Sequence, residues 1–236
     1  MMKILFAVAL AAVASSTNYK IQVDSLNFAG QLSSSANYQA ADTLGEAATG
    51  ELAGTTYRLK AGYQNMLISS ISISAPTDLS LTTISNSTGG QSSGSVAWTV
   101  TTDNAAGYTL AIKADTSPAL AATGGNFNNY TPAGSVPDYA WSIDNSVAEF
   151  GFSPEGTEIA SRYLDDSLAC GVGSSETADR CWDALSTANR TIASRATNNT
   201  PLGTVTTVKF RAEIGTAASV NAGDYNATVT ATALAS

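Results

Sequence analysis

The stretch VAWTVT, residues 96–101, decides the fold class of this chain. Large apolar side chains alternate in it with small or polar ones, and a period of two is typical of a β-strand with one buried face. Trp98 is accordingly predicted to be a core residue. The alternation returns in YTLAI (108–112), VKFRAEI (208–214) and YNATV (225–229), and DLSLTTIS (78–85) predicts a first strand. Together these stretches favour an all-β, immunoglobulin-like β-sandwich over residues 76–236.

The composition agrees with such a fold and excludes several functions. Of the 236 residues, 44% are hydrophobic, enough for a packed core, and only 13% are charged. The chain contains no histidine, so catalysis by Ser-His or Cys-His pairs and histidine metal sites are excluded. A net charge of -8 argues against nucleic acid as a partner.

Residues 1–14 have the three parts of a secretory signal peptide. Lys3 is the positive residue, residues 4–13 are apolar, and Ala12-Val13-Ala14 is a small-x-small cleavage site. No later stretch reaches the ~18 apolar residues of a membrane-spanning helix. We therefore expect a secreted mature chain without a transmembrane segment, located outside the cell or on its surface.

Residues 15–75 predict a small β-rich N-terminal segment, which we call the arm. Tyrosine and aliphatic residues alternate with polar ones at its start, and Gly/Ser-rich turns follow. Pro76 marks the boundary with the sandwich. The arm either pairs within its own chain or donates a strand to a neighbouring molecule. The candidate strand-donor residues are Tyr19, Ile21, Val23, Leu26 and Phe28.

Residues 124–201 interrupt the alternating pattern and are predicted to be an excursion from the sandwich. The i, i+3, i+4, i+7 spacing of apolar residues over 178–185 favours a short helix. Long excursions often carry binding surfaces. Its aromatic residues either contact a ligand or partner or form a small core beneath the excursion. These residues are Trp141, Trp182, Tyr130 and Tyr139.

The chain has two cysteines, Cys170 and Cys181. In an exported protein they are predicted to form a disulfide that clasps the excursion. Closing a loop of this length stabilises the fold by roughly 3 kcal/mol in the chain-entropy model.

Motifs for catalysis or metal binding are weak. The segment Gly90–Gly94 matches G-x-S-x-G, but it has no histidine base and is interpreted as a linker before a strand. The excursion is rich in carboxylates, which could form a glycosidase pair or bind Ca²⁺ through oxygen atoms. Without a D-x-D-x-D-G loop, we predict no catalytic residue, no metal site and no cofactor, with Ca²⁺ as the alternative. These carboxylates are Glu149, Glu155, Glu158, Asp165, Asp166, Glu176, Asp179 and Asp183.

Two stretches resemble exported bacterial proteins. NYKIQVDSLNFAGQLSSSANYQAADTLGEAATGELAGTTYRLKAGYQ (18–64) resembles a segment near the start of exported, uncharacterised proteins of environmental bacteria. TIASRATNNTPLGTVTTVKFRAEIGTAASVNAGDYNATVTATA (191–233) is similar to the closing strands of WxL-like and fimbrial-type cell-surface β-sandwich domains. The resemblance implies a cell-surface location and adhesive or structural work, and it supplies no catalytic residue.

The sequence therefore predicts a non-enzymatic extracellular structural or adhesive protein of the bacterial cell surface. It would pair strands with copies of itself, in a filament, pilus-like fibre or surface layer, or bind other surface components. The alternative is a soluble secreted module that binds a carbohydrate or a protein through the 124–201 excursion.

Overall fold

The computed structural model describes residues 69–123, 125–134 and 136–236, and the backbone of five strands that precede them. The chain divides into two compact units, one formed by Met1–Ala11 with Ser70–Ser236 and the other by Ala12–Ser69. The described strands are β1 (Met2–Leu10), β2 (Ala29–Ser34), β3 (Gln39–Leu44), β4 (Gly50–Ala53), β5 (Arg58–Ala61), β6 (Ile71–Ile73), β7 (Leu79–Leu81), β8 (Gly90–Thr102), β9 (Tyr108–Ala114), β10 (Ala121–Ala122), β11 (Gly125–Asn126), β12 (Asn128–Asn129), β13 (Ala148–Glu155), β14 (Asp183–Ala184), β15 (Arg190–Arg195), β16 (Thr204–Ile214) and β17 (Asn226–Ala235).

The larger unit is built from two β-sheets. In the first sheet β7, β1, β17, β9 and β15 are neighbours in that order, and the short strands β10 and β11 extend from the start of β17. In the second sheet the order is β12, β13, β16, β8 and β6, with β14 also paired to β13. Apart from the parallel pairs β1–β17 and β12–β13, these strands are antiparallel. The all-β sandwich expected from the sequence is confirmed.

The core includes the alternating residues that the sequence singled out. Trp98 is fully buried on β8, and Leu110 on β9 and Phe210 on β16 are also fully buried. Burying side chains of this size stabilises a fold by about 1.5–3 kcal/mol each. The alternating stretches at 96–101, 108–112, 208–214 and 225–229 all lie on, or begin next to, the long strands β8, β9, β16 and β17.

The predicted excursion, residues 124–201, also supplies strands to both sheets. β13 pairs with β16 along its whole length, and β15 pairs with β9 at the edge of the first sheet. β13 is buried on both faces because loops of the same segment cover the side that points away from the core. The excursion is thus an integral part of the sandwich as well as a set of loops upon it.

The first strand of the chain, β1 (Met2–Leu10), lies inside the first sheet. β1 pairs in parallel with β17, from Lys3 opposite Asn226 to Leu10 opposite Ala233. Its other edge pairs with β7, from Met2 opposite Leu81 to Ile4 opposite Leu79. The residues with the signal-peptide pattern therefore separate the last strand of the sandwich from β7.

The smaller unit contains two antiparallel hairpins. β2 pairs with β3, and β4 pairs with β5. The candidate strand-donor residues Tyr19, Ile21, Val23, Leu26 and Phe28 lie outside the described residues. Whether the arm pairs within its chain or with a neighbour therefore stays a prediction.

Two local predictions from the sequence are wrong. The helix expected over 178–185 does not form, because Asp179 and Cys181 have φ angles of 63° and 59° and Trp182 makes a β-bridge with Asp138. The Gly90–Gly94 segment is the beginning of β8 and not a linker. Among the residues described, helical structure is limited to a 3-10 turn at Ser161–Tyr163, and no helix is long and apolar enough to cross a membrane.

Candidate functional site

Three of the four aromatic residues predicted as ligand contacts, Tyr130, Trp141 and Trp182, come together on the outer face of β13. Trp141 stacks on Tyr130, with ring centroids 4.2 Å apart, and its ring meets Trp182 edge-on at 5.0 Å. They approach the strand closely at Gly151, where a Cβ atom would lie 2.7 Å from Tyr130 Cβ and 3.0 Å from Trp141 Cζ3. A glycine at this position is what allows the loop to pack flat on the sheet.

The polar atoms of this aromatic cluster are paired within the protein. The Trp141 Nε1–H group donates to Glu213 Oε2 at 2.7 Å, and the Trp182 Nε1–H group donates to the Asp179 carbonyl oxygen at 3.1 Å. The Tyr130 hydroxyl donates to Asp138 Oδ2 at 3.2 Å, and burial raises the pKa of Tyr130 to about 12. Trp182 and Tyr130 are buried, and Trp141 is half-buried. The cluster therefore forms a rigid floor, with only part of Trp141 open to solvent.

A cleft of about 300 Å³ lies beside this floor, and we call it the outer-face cleft. Two strands form its base. Lys209 and Arg211 lie on the outer face of β16, and Gln91 and Ser93 lie beside them on the outer face of β8. The loop before β14 adds Arg180 and Asp179. Trp141 and Trp182, from the aromatic floor, complete the lining of the cleft. Small residues next to Arg211 in the sheet, Ser93 on one side and Gly151 on the other, leave room for its long side chain.

The cations of the outer-face cleft are partly balanced by carboxylates. Lys209 Nζ forms an ion pair with Asp179 Oδ1, and Arg211 Nη2 forms one with Glu213 Oε2 at 3.2 Å. The guanidinium of Arg211 also lies over the Trp141 ring, 5.2 Å from its centroid. Arg180 lies over Tyr139, at 5.1 Å. Stacking on aromatic rings holds both guanidinium groups in fixed orientations.

The predicted disulfide between Cys170 and Cys181 is confirmed, with Cα atoms 5.6 Å apart. It closes a loop organised by Asp165, whose carboxylate is fully buried. Asp165 accepts hydrogen bonds from the Ser167 backbone N–H at 2.8 Å and from the Thr177 backbone and hydroxyl groups at 3.0 Å. The bridge and this carboxylate fix the shape of the segment that carries Asp179 and Arg180.

Asp183 forms a buried ionic centre at the start of β14. Arg162 donates to its Oδ2 from Nε at 3.0 Å and from Nη2 at 2.9 Å, while Arg190 Nη1 lies 2.5 Å from its Oδ1. The Tyr163 hydroxyl donates to Oδ2 at 3.2 Å, and burial raises the pKa of Tyr163. This centre joins the 3-10 turn, β14 and β15.

The acidic residues considered for catalysis or Ca²⁺ binding have varied surroundings. Asp165 and Asp183 are buried in the networks just described, Glu158 pairs with Arg195 at 2.5 Å, and Asp179 pairs with Lys209. Within the described residues, no group of three or more acidic or cysteine side chains is arranged to hold a metal ion.

The cations Lys209, Arg211 and Arg180 were not singled out in the sequence. A signal for two of them is present in VKFRAEI, where Lys209 and Arg211 occupy the phase opposite to Val208 and Phe210. Two cations on the polar phase of one strand indicate a positively charged row on the outer surface of a sheet. Arg180 has no such signal, because its position depends on the loop closed by the disulfide.

A second cavity, of about 270 Å³, opens at one end of the sandwich. Ile84, Phe127, Ile214, Val220 and Tyr225 line it, and the Tyr225 hydroxyl donates to the Asn221 carbonyl oxygen at 2.8 Å. Its lining is mainly apolar, and it has no charged side chain among its residues.

No family model matches the chain, and no curated protein matches it either. The resemblance to WxL-like and fimbrial-type surface domains therefore has no support beyond the motifs quoted above.

Proposed function

We propose that the protein is a non-enzymatic structural or adhesive component of the bacterial cell surface that assembles by exchanging β-strands between copies. The observation that carries this proposal is the position of β1. Met2–Leu10, nine of the fourteen residues with the signal-peptide pattern, lie between β17 and β7 in the interior of a sheet.

Cleavage of residues 1–14 on export would leave this place open. β17 would keep β9 on one edge, but the edge from Asn226 to Ala233 would lose its partner. An unpaired strand edge is a template for a strand from another segment, which supplies main-chain hydrogen bonds along its length. The mature protein would therefore need a replacement strand.

The arm carries a sequence suited to that place. Tyr19, Ile21 and Val23 alternate with Lys20 and Gln22, so one face of such a strand is apolar and the other is polar. The same segment could serve its own chain or a neighbour. Donation to a neighbour would link subunits in a row, because each subunit would both give and receive one strand.

The test uses the mature chain, residues 15–236, in light scattering after size exclusion and in negative-stain microscopy. We expect assemblies from the unchanged chain and monomers from the double variant Ile21→Asp and Val23→Asp, because charges on the apolar face prevent strand insertion. The matched control is Lys20→Asp with Gln22→Asp. It places two aspartates on the polar face of the strand, so this variant should still assemble. A mature chain that stays monomeric at all concentrations would refute the proposal.

A further inference from the structure

The outer-face cleft carries more hydrogen-bond donors than acceptors. Arg180, Lys209 and Arg211 bring only N–H donors, and Asp179 is the carboxylate of the lining. Within the described part of the chain, the Nε atoms of Arg180 and Arg211 are buried and have no hydrogen-bond partner. These Nε atoms are shielded from solvent, but the side chains of Lys209 and Arg211 are 25% and 24% exposed. A ligand that supplies acceptor oxygens can therefore contact the charged groups of the cleft.

The charge around the cleft also differs from that of the whole chain. The protein has a net charge of -8 and 11 Lys and Arg residues, of which three line this one cleft. A local group of cations in a cleft raises the concentration of anions there. The planar fork of a guanidinium pairs with both oxygens of a carboxylate, which makes a carboxylate a better match than a neutral ligand.

The size of the cleft favours a compact ligand over an extended peptide, because its space is about 300 Å³. At its base, β16 is paired along both edges, with β8 and β13, so a peptide cannot add to β16 there. The pairing of β8 with β6 covers only Val100–Thr102, away from Gln91 and Ser93. A ligand above β16 is therefore held by side chains.

From these observations we infer that the outer-face cleft binds a carboxylate-bearing sugar residue, the uronic acid unit of an acidic polysaccharide. Arg180, Lys209 and Arg211 hold the carboxylate. Gln91 and Ser93 on β8 meet ring hydroxyl groups. The faces of Trp141 are occupied by Tyr130 and Arg211, so charge and hydrogen bonding supply the recognition, and ring stacking contributes little. This site does not depend on the proposed strand exchange.

Calorimetric titration of the full chain with trigalacturonate tests the inference, and the methyl ester of the same trisaccharide is the matched neutral ligand. We expect binding of the acid at concentrations up to about 1 mM and affinity for the ester at least about tenfold weaker. Lys209→Gln should weaken binding of the acid about tenfold, since a charge-assisted contact is lost. The control is Lys113→Gln, which removes the same charge from β9 in the other sheet and should leave the affinity unchanged.

A variant with the opposite sign completes the test. Asp179→Asn removes the carboxylate that competes with the ligand for Lys209, so affinity for trigalacturonate should rise severalfold. Asparagine tolerates the φ of 63° at this position, and the contact with Trp182 uses the backbone carbonyl oxygen, so the fold is preserved. Equal binding of acid and ester, no binding of either, weaker binding by Asp179→Asn, or equally tight binding of poly-glutamate would each overturn the inference.

Discussion

The substitution Asp183→Asn is expected to cost this protein a large part of its stability. Asp183 is fully buried, and its two carboxylate oxygens face Arg162 and Arg190. Removing one partner of a buried ion pair typically costs about 3–5 kcal/mol, because the remaining charge is left without compensation. The two arginine side chains are 40% and 29% exposed, so water can solvate them in part, and the lower end of the range applies. We expect the free energy of unfolding to fall by about 3 kcal/mol.

For a domain of this size the loss corresponds to a decrease in Tm of about 6–12 °C. Urea unfolding, followed by tryptophan fluorescence, gives the free energy directly, and an unchanged m-value would show that the unfolded state is the same. The control is Asp115→Asn at an exposed position, where the change should stay within about 0.5 kcal/mol. A loss below about 1 kcal/mol for Asp183→Asn would mean that the charge of this centre contributes little and that the reasoning is wrong.

Three further changes test other parts of the structure. Gly151→Ala should destabilise the protein by about 1–3 kcal/mol and change the tryptophan emission, because the added methyl group meets Tyr130 and Trp141. At the control position Gly134 an added Cβ comes no closer than 4.0 Å to Asp138 Oδ1, so Gly134→Ala should change neither measurement. Replacing Cys170 and Cys181 together by alanine should lower the free energy of unfolding by about 2–3 kcal/mol in urea titrations, and a reducing agent should have no further effect on that variant. Burial raises the pKa of Glu149, so protonation of this carboxyl group stabilises the folded state. This contribution to stability is lost as the pH rises through the raised pKa. Glu149→Gln should therefore increase Tm at about pH 7 and leave it unchanged at about pH 3.5, and an equal change at both values would contradict the assignment.

The long strands could be predicted from the sequence because each has one face in the core and one face outside. Trp98 on β8 and Phe210 on β16 each lie in an alternating stretch, and both are fully buried. The disulfide could be predicted from two cysteines in a chain whose first residues have a signal-peptide pattern. In each case the deciding signal is local, so a single sequence contains it.

The excursion was harder to predict because its strands are irregular. Phe150 and Phe152 do alternate with smaller residues in AEFGFSPE, but both faces of β13 are buried, and its outer face contacts loops that the sequence cannot place. β15 has a bulge near Ile192, which puts Ile192 and Ala193 in the core side by side and removes the period of two. The false helix at 178–185 has a related cause, since the backbone there is shaped by contacts with Asp138 and by the disulfide. The outer-face cleft joins β8, β16 and this loop, so it depends on tertiary contacts throughout.

The entry of β13 and β15 into the two sheets has a consequence for the motions of the protein. Backbone amides of β13 that bond to β16 can exchange with solvent only when the second sheet opens, and the same holds for β15 and the first sheet. The segment 124–201 therefore has no separate unfolding step between these strands and the rest of the sandwich. In hydrogen-exchange measurements, amides of β13 should exchange as slowly as those of β8, with faster exchange in exposed turns such as 171–176 and 187–189. The floor and base of the outer-face cleft thus belong to the most slowly opening part of the molecule, and any ligand there would meet a surface already in place.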